Sequence, residues 1–217
     1  MKILAIEFSS ARRSAALFDT EQGRVLASAG EAGGREMKAL GMLGQILDKT
    51  GCARKDVDCI AVGLGPGSYA GIRAAISLAQ GWELALGTKL IGISSVEVLA
   101  RVTQRQGLHG SAHLVINAQR NEYYAAEYEI SGATARETNA LKLVPGALVL
   151  EMAQSGAVVA GPEAETIPSG RVIFPDAQAL AELAAERRDY VAGERLEPIY
   201  LRETSFVKAP PPRLIPE

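Results

Sequence analysis

Apolar residues fall along this chain in two kinds of run. Short ones, at residues 3–8, 14–18, 24–29, 59–63 and 90–93, have the length of strands. Longer ones, at 36–50 and 72–86, return with the period of a helix. Asp19-Thr20-Glu21-Gln22-Gly23 makes a hairpin loop between the second and third strands. Gly51 closes the first helix at its C-terminal cap. Ser94-Ser95-Val96-Glu97 has the spacing of a capping box and opens a third helix to about Gln106, stopped by Gly107. The order is βββαβαβα, which predicts a mixed sheet with helices on its faces.

The pattern then starts over. Residues 113–117, 122–130 and 136–144 read as three strands and 147–154 as a helix. Residues 158–161 and 171–174 read as short strands, and Asp176 caps a helix running to about Arg188. This is a reduced copy of the first half, recognised by element order alone. It predicts two domains, residues 1–106 and 107–217. The tail, Ala209-Pro210-Pro211-Pro212-Arg213, is expected to be extended.

The densest signal is Gly63-Leu64-Gly65-Pro66-Gly67-Ser68-Tyr69-Ala70-Gly71, set between a buried strand and a helix. Such a loop aims backbone N–H groups and a helix N-terminus at one point, which suits an anion; Gly65, Gly67, Ser68 and Gly71 are the candidate phosphate contacts. The competing reading is a tight turn that lets helix approach sheet. The helix that follows has a single polar stripe, Arg73, Ser77, Gln80 and Glu83, and is otherwise apolar. That is enough apolar surface for two faces, one more than its own sheet needs. Helix 36–50 adds Met37, Leu40, Leu43 and Leu47 on one face with Met42 and Ile46 beside it, while Gly41 and Gly44 let another backbone come close. Arg73, a cation in the first turn, opposes the helix dipole and points to a partner carboxylate or phosphate, or only to solvent.

Composition narrows the classes. The net charge of −2 gives no nucleic-acid footprint, and no apolar run reaches a membrane span. Cys52 and Cys59 do not make a disulfide framework in 217 residues, so a reducing cytoplasm is expected. Ser9 and Ser10 beside Glu7 read better as a turn cap than as a nucleophile with its base, since no Gly-x-Ser-x-Gly elbow exists. His109 and His113 have metal-ligand spacing but lie beside glycines and before a strand, not on a helix. No catalytic residue and no metal site is therefore expected.

Several segments together resemble the TsaB (YeaZ) family. Ala61-Val62-Gly63-Leu64-Gly65-Pro66-Gly67-Ser68-Tyr69-Ala70-Gly71-Ile72-Arg73 is similar to its A-V-G-x-G-P-G-S-F-T-G-L-R. Ile91-Gly92-Ile93-Ser94-Ser95, Asn117-Ala118-Gln119-Arg120-Asn121-Glu122-Tyr123-Tyr124 and Pro198-Ile199-Tyr200-Leu201-Arg202 are like its other motifs. The resemblance implies two tandem ribonuclease-H-like domains of the actin-like ATPase superfamily. It implies a non-catalytic scaffold or activator subunit in forming N6-threonylcarbamoyladenosine at position 37 of tRNA. The implied partners are a TsaD-like catalytic subunit and a TsaE-like ATPase, with a homodimer in isolation and tRNA met only through the complex. The contact would run through Met37, Leu40, Leu43, Leu47, Ile72, Arg73, Ile76 and Ala79. No cofactor is expected on the isolated chain, and ATP or ADP only within a complex. Three departures bear on this: Glu7-Phe8-Ser9-Ser10 replaces D-T-S, Asn117 replaces an Asp, and H-S-E-x-L is absent before the first helix. Catalytic relatives hold metal with H-x-x-x-H where this chain has Ser95 and Leu99, and leucine is no ligand. Two alternatives stay open: a glycoprotease-like metallohydrolase or small-molecule kinase, and a self-associating pseudoenzyme without a TsaD partner.

Overall fold

The structure is a computed structural model that describes residues 1–32 and 38–202. Met37 and the proline-rich tail lie outside the described residues. The first half folds as β1 (Lys2–Glu7), β2 (Arg12–Asp19), β3 (Arg24–Ala32), α1 (Ala39–Thr50), β4 (Cys59–Gly63), α2 (Tyr69–Leu86), β5 (Lys89–Ile93) and α3 (Ser95–Arg105). The second folds as β6 (Gly110–Asn117), β7 (Glu122–Ile130), β8 (Ala135–Pro145), α4 (Gly146–Gln154), β9 (Val158–Gly161), β10 (Arg171–Val172) and α5 (Ala177–Ala185).

Each half makes one five-stranded sheet, ordered β3-β2-β1-β4-β5 and β8-β7-β6-β9-β10. In both, the first strand pairs antiparallel with the second and parallel with the fourth. The second sheet thus repeats the plan of the first, giving two ribonuclease-H-like units in tandem. Local chemistry sets most boundaries. Ser68 caps α2 by accepting from the N–H of Gly71, which starts the helix at Tyr69, three residues before the apolar run begins. Gly51 and Gly87, both left-handed, close α1 and α2. Ser94 caps α3 through the N–H of Val96, while Glu97, the other half of the expected capping box, pairs with Arg187. The strand expected over 171–174 shortens to two residues, and α5 ends at Ala185, short of Arg188.

The layers are where sequence pattern alone falls short. Strand alternation sends Ile3 and Ala5 of β1 to one face and Leu4, Ile6 and Phe8 to the other. The second set packs under α1 and α2, which cover the outside of the first sheet. The first set packs against α5, which comes from the second half of the chain. Conversely α3, from the first half, packs on β6, β7 and β8. So α3 and α5 form a shared middle layer between the two sheets, tied by ion pairs Arg101–Glu186 and Arg187–Glu97, and α4 covers the outside of the second sheet.

Candidate functional site

The glycine loop is a close-packed junction. Glu7, fully buried at the end of β1, accepts from the backbone N–H of Ser9 at 2.9 Å and from the Ser95 hydroxyl at 3.0 Å. Ser95, also fully buried, accepts from the N–H of Gly65 at 3.1 Å and returns its own N–H to the carbonyl of Gly65 at 2.8 Å. The N–H of Ser68 goes to the carbonyl of Ser9 at 2.7 Å, and that of Gly71 to the Ser68 hydroxyl. Three of the four candidate phosphate contacts, Gly65, Ser68 and Gly71, thus spend their N–H groups inside the fold. The glycines have a packing reason: a Cβ on Gly63 would lie 2.1 Å from a Glu7 oxygen, and one on Gly67 would lie 2.1 Å from the carbonyl of Ser9. Burial pushes the Glu7 carboxyl above its ordinary range, against the bonds from Ser9 and Ser95 that pull it down.

Outside the first sheet, α1 and α2 leave a groove of about 410 Å³ between them. Leu40, Leu43, Gly44 and Leu47 line one side; Ser77, Leu78, Gly81, Trp82, Ala85 and Leu86 line the other. Leu40 is 73% exposed and Leu84, one turn from Gly81, is 90% exposed. The contact set expected from sequence divides here. Leu40 and Arg73 are at the surface, and Leu43 and Leu47 form the groove floor while belonging to the core. Ile72, Ile76 and Ala79 point inward onto the sheet and are buried by this chain's own fold. Their place on the outer face is taken by Ser77, Leu78, Gly81 and Ala85, because the α2 stripe that meets β1 and β4 is Ile72-Ala75-Ile76-Ala79. Gly41 sits in the first turn of α1, Gly44 and Gly81 sit mid-helix, and among the described residues a Cβ on any of them would meet nothing within 4 Å.

Arg73 has neighbours the sequence did not suggest. Its guanidinium lies 5.4 Å from the centre of the Tyr69 ring, and Tyr69 stacks on Tyr200 at 5.7 Å. Residues 197–202 run as an extended strap, with the N–H of Ile199 donating to the carbonyl of Leu64. Arg202 reaches the turn between β6 and β7, donating to the carbonyl of Ala118 at 2.8 Å and pairing with Glu122 at 2.7 Å. The sequence reads residues 197–202 as a short extended piece carrying the family's P-x-Y-L-R spelling, and neither reading names a contact.

Comparison with known proteins bears on this arrangement. A family model described as "TsaD: tRNA N6-adenosine threonylcarbamoyltransferase" matches residues 36–184. The chain is 31% identical to the tRNA threonylcarbamoyladenosine biosynthesis protein TsaB of Escherichia coli K12, over 93% of this chain and 95% of that protein. The solved structure of YeaZ from Pseudomonas aeruginosa superposes with a TM-score of 0.78 at 28% identity, covering 92% of this chain and 99% of that one. A second solved structure, an uncharacterized protein from P. aeruginosa with similarity to peptidase YEAZ, gives the same TM-score over 93% of this chain. The chain belongs to the TsaB (YeaZ) family.

In this TsaB-family chain, Ser95 and Leu99 are both fully buried, Ser95 on Glu7 and Leu99 in the middle layer. Asn117 gives its N–H to Glu163, whose carboxyl burial pushes up, and its side-chain oxygen accepts from the N–H of Gln119. His113 lies on β6 and His109 in the loop before it. Among the described residues, no three His, Cys, Asp or Glu side chains converge as a metal site would require, and no helix is long and apolar enough to cross a membrane.

Proposed function

We propose that this chain is a non-catalytic subunit of the machinery that forms N6-threonylcarbamoyladenosine on tRNA, docking a TsaD-like catalytic subunit on the α1–α2 face. Family membership supports the pathway, since the E. coli relative is a tRNA threonylcarbamoyladenosine biosynthesis protein. The observation that carries the docking role is the set of helix glycines. A mid-helix glycine costs about 1 kcal/mol relative to alanine. Gly44 and Gly81, both mid-helix, bring no packing benefit among the described residues, since each looks into open space there. Both line an apolar groove. A partner helix laid along that groove supplies the missing reason, because absent side chains let backbones approach closely.

In this reading the cytoplasmic protein meets tRNA, nucleotide and a TsaE-like ATPase only within the complex, and pairs with itself through the same face when the catalytic subunit is absent. The buried internal bonds of the glycine loop support a structural role for it in the free chain. The test is affinity for a purified TsaD protein, by calorimetry, for the wild type and Leu40→Glu. Leu40 is exposed, so the variant should fold normally and bind at least tenfold more weakly. Unchanged binding would remove the α1–α2 face as the docking site, and a wild type that ignores TsaD while hydrolysing ATP alone would replace this reading with an enzyme.

A further inference from the structure

The turn joining β6 to β7 has a backbone unlike any other described segment. Gln119, Arg120 and Asn121 carry φ values of 65°, 55° and 57°, three consecutive non-glycine residues in the left-handed region. That conformation costs L-residues of this kind roughly 1 kcal/mol or more apiece, so neighbours must hold it. The holders are visible. The N–H of Gln119 is bound by the Asn117 side chain at 2.7 Å, and the carbonyl of Asn121 by the N–H of Gly146 at 2.8 Å. From outside, Arg202 takes the carbonyl of Ala118 and the Glu122 carboxylate, with the carbonyl of Gln119 at 3.5 Å.

Arg202 is one end of the strap. Two residues earlier Tyr200 stacks on Tyr69 of α2, and Ile199 is bonded to Leu64 of the glycine loop. Five residues therefore join the start of α2, in the first half, to a strained turn in the second. Both rings of the stack are about half exposed, Tyr69 at 60% and Tyr200 at 48%, so the α2 end is open to whatever touches the surface there.

We propose that residues 198–202 are a clasp that holds the β6–β7 turn in its left-handed conformation and couples it to the Tyr69–Arg73 end of α2. When the stack is intact, Arg202 is delivered to the turn. When the stack is lost, Arg202 is no longer positioned and the turn relaxes. The coupling is a property of the isolated chain and holds whether or not the α1–α2 face carries a partner.

Hydrogen exchange on the full chain tests this at the amides of Gln119, Glu122 and Gly146, all bonded within the turn. Arg202→Ala should speed their exchange at least tenfold while amides of β1 and β4 keep the wild-type rate. Tyr69→Ala should do the same, although Tyr69 lies on α2, where its ring stacks on Tyr200 of the strap. In a background of Gln119→Gly, Arg120→Gly and Asn121→Gly together, where the left-handed conformation is no longer strained, Arg202→Ala should change these rates less than threefold. The proposal is overturned if Arg202→Ala leaves the turn amides unchanged, if Tyr69→Ala has no effect on them, or if either variant speeds exchange uniformly through the fold.

Discussion

A methyl group placed on Gly71 would stand 2.0 Å from the carbonyl oxygen of Phe8, whereas one placed on Gly44 or Gly81 would meet nothing within 4 Å. The same substitution should therefore have opposite signs. Gly71→Ala forces the glycine loop off β1 and should cost about 1–3 kcal/mol of stability. Gly44→Ala and Gly81→Ala relieve a helix penalty and should each add up to about 1 kcal/mol. Urea unfolding of the three purified variants measures all of this; a loss of stability at Gly44 or Gly81 would mean the monomer needs those glycines after all. Glu7 is the second residue-scale case. Its folded pKa lies above the ordinary value of 4.5 because burial penalises the charge. Its contribution to stability is thus full below 4.5 and is lost as pH rises through the raised value. Glu7→Gln keeps an oxygen to accept from Ser9 and Ser95 but carries no charge. The wild type should lose urea resistance relative to the variant as pH climbs from 4.5 toward neutrality, and parallel profiles would show that folding does not raise the Glu7 pKa.

At the scale of the element, α2 shows what periodicity can and cannot tell. Its polar stripe and apolar surplus were legible, since they depend only on spacing. Which apolar face turns inward was not legible, because Ile72, Ile76, Leu78 and Leu84 are chemically alike and the choice is made by the sheet beneath. The small residues Ala75 and Ala79 let Ile72 and Ile76 seat on β1 and β4, leaving Leu78 at the groove. The glycine loop was legible as a special backbone but not as a filled one, since the atoms that occupy it, from Phe8, Ser9 and Ser95, are distant in sequence. A matched pair of variants checks the facing. Ile76 is 6% exposed, so Ile76→Glu puts a charge in the core, a cost of several kcal/mol, and should abolish the cooperative melt. Leu78→Glu should keep the melt and break self-association, seen as a monomer mass by light scattering. Two folded variants, or two unfolded ones, would contradict the facing described here.

For the whole molecule, the order of elements announced two sheets, but not that each half lends a helix to the other. An amphipathic pattern says that a helix has a buried face without saying which sheet buries it. Here α5 covers the inner face of the first sheet, where Ile3, Ala16, Phe18, Ile91 and Ile93 lie. A fragment ending at residue 106 keeps every strand of that sheet yet loses its cover. Each large apolar side chain so exposed forfeits about 1.5–3 kcal/mol, and the four large ones, Ile3, Phe18, Ile91 and Ile93, outweigh the few kcal/mol by which a domain of that size is stable. The fragment 107–217 is short in the complementary way, because α3 is what packs on β6, β7 and β8. Expressed alone, residues 1–106 should aggregate or bind a hydrophobic dye without a cooperative melt. Expressed together, the two fragments should associate through the α3–α5 layer and recover the circular dichroism and melting transition of the intact chain. A soluble 1–106 fragment that is monomeric and melts cooperatively would show that the middle layer is an accessory to two self-sufficient domains rather than the core they share.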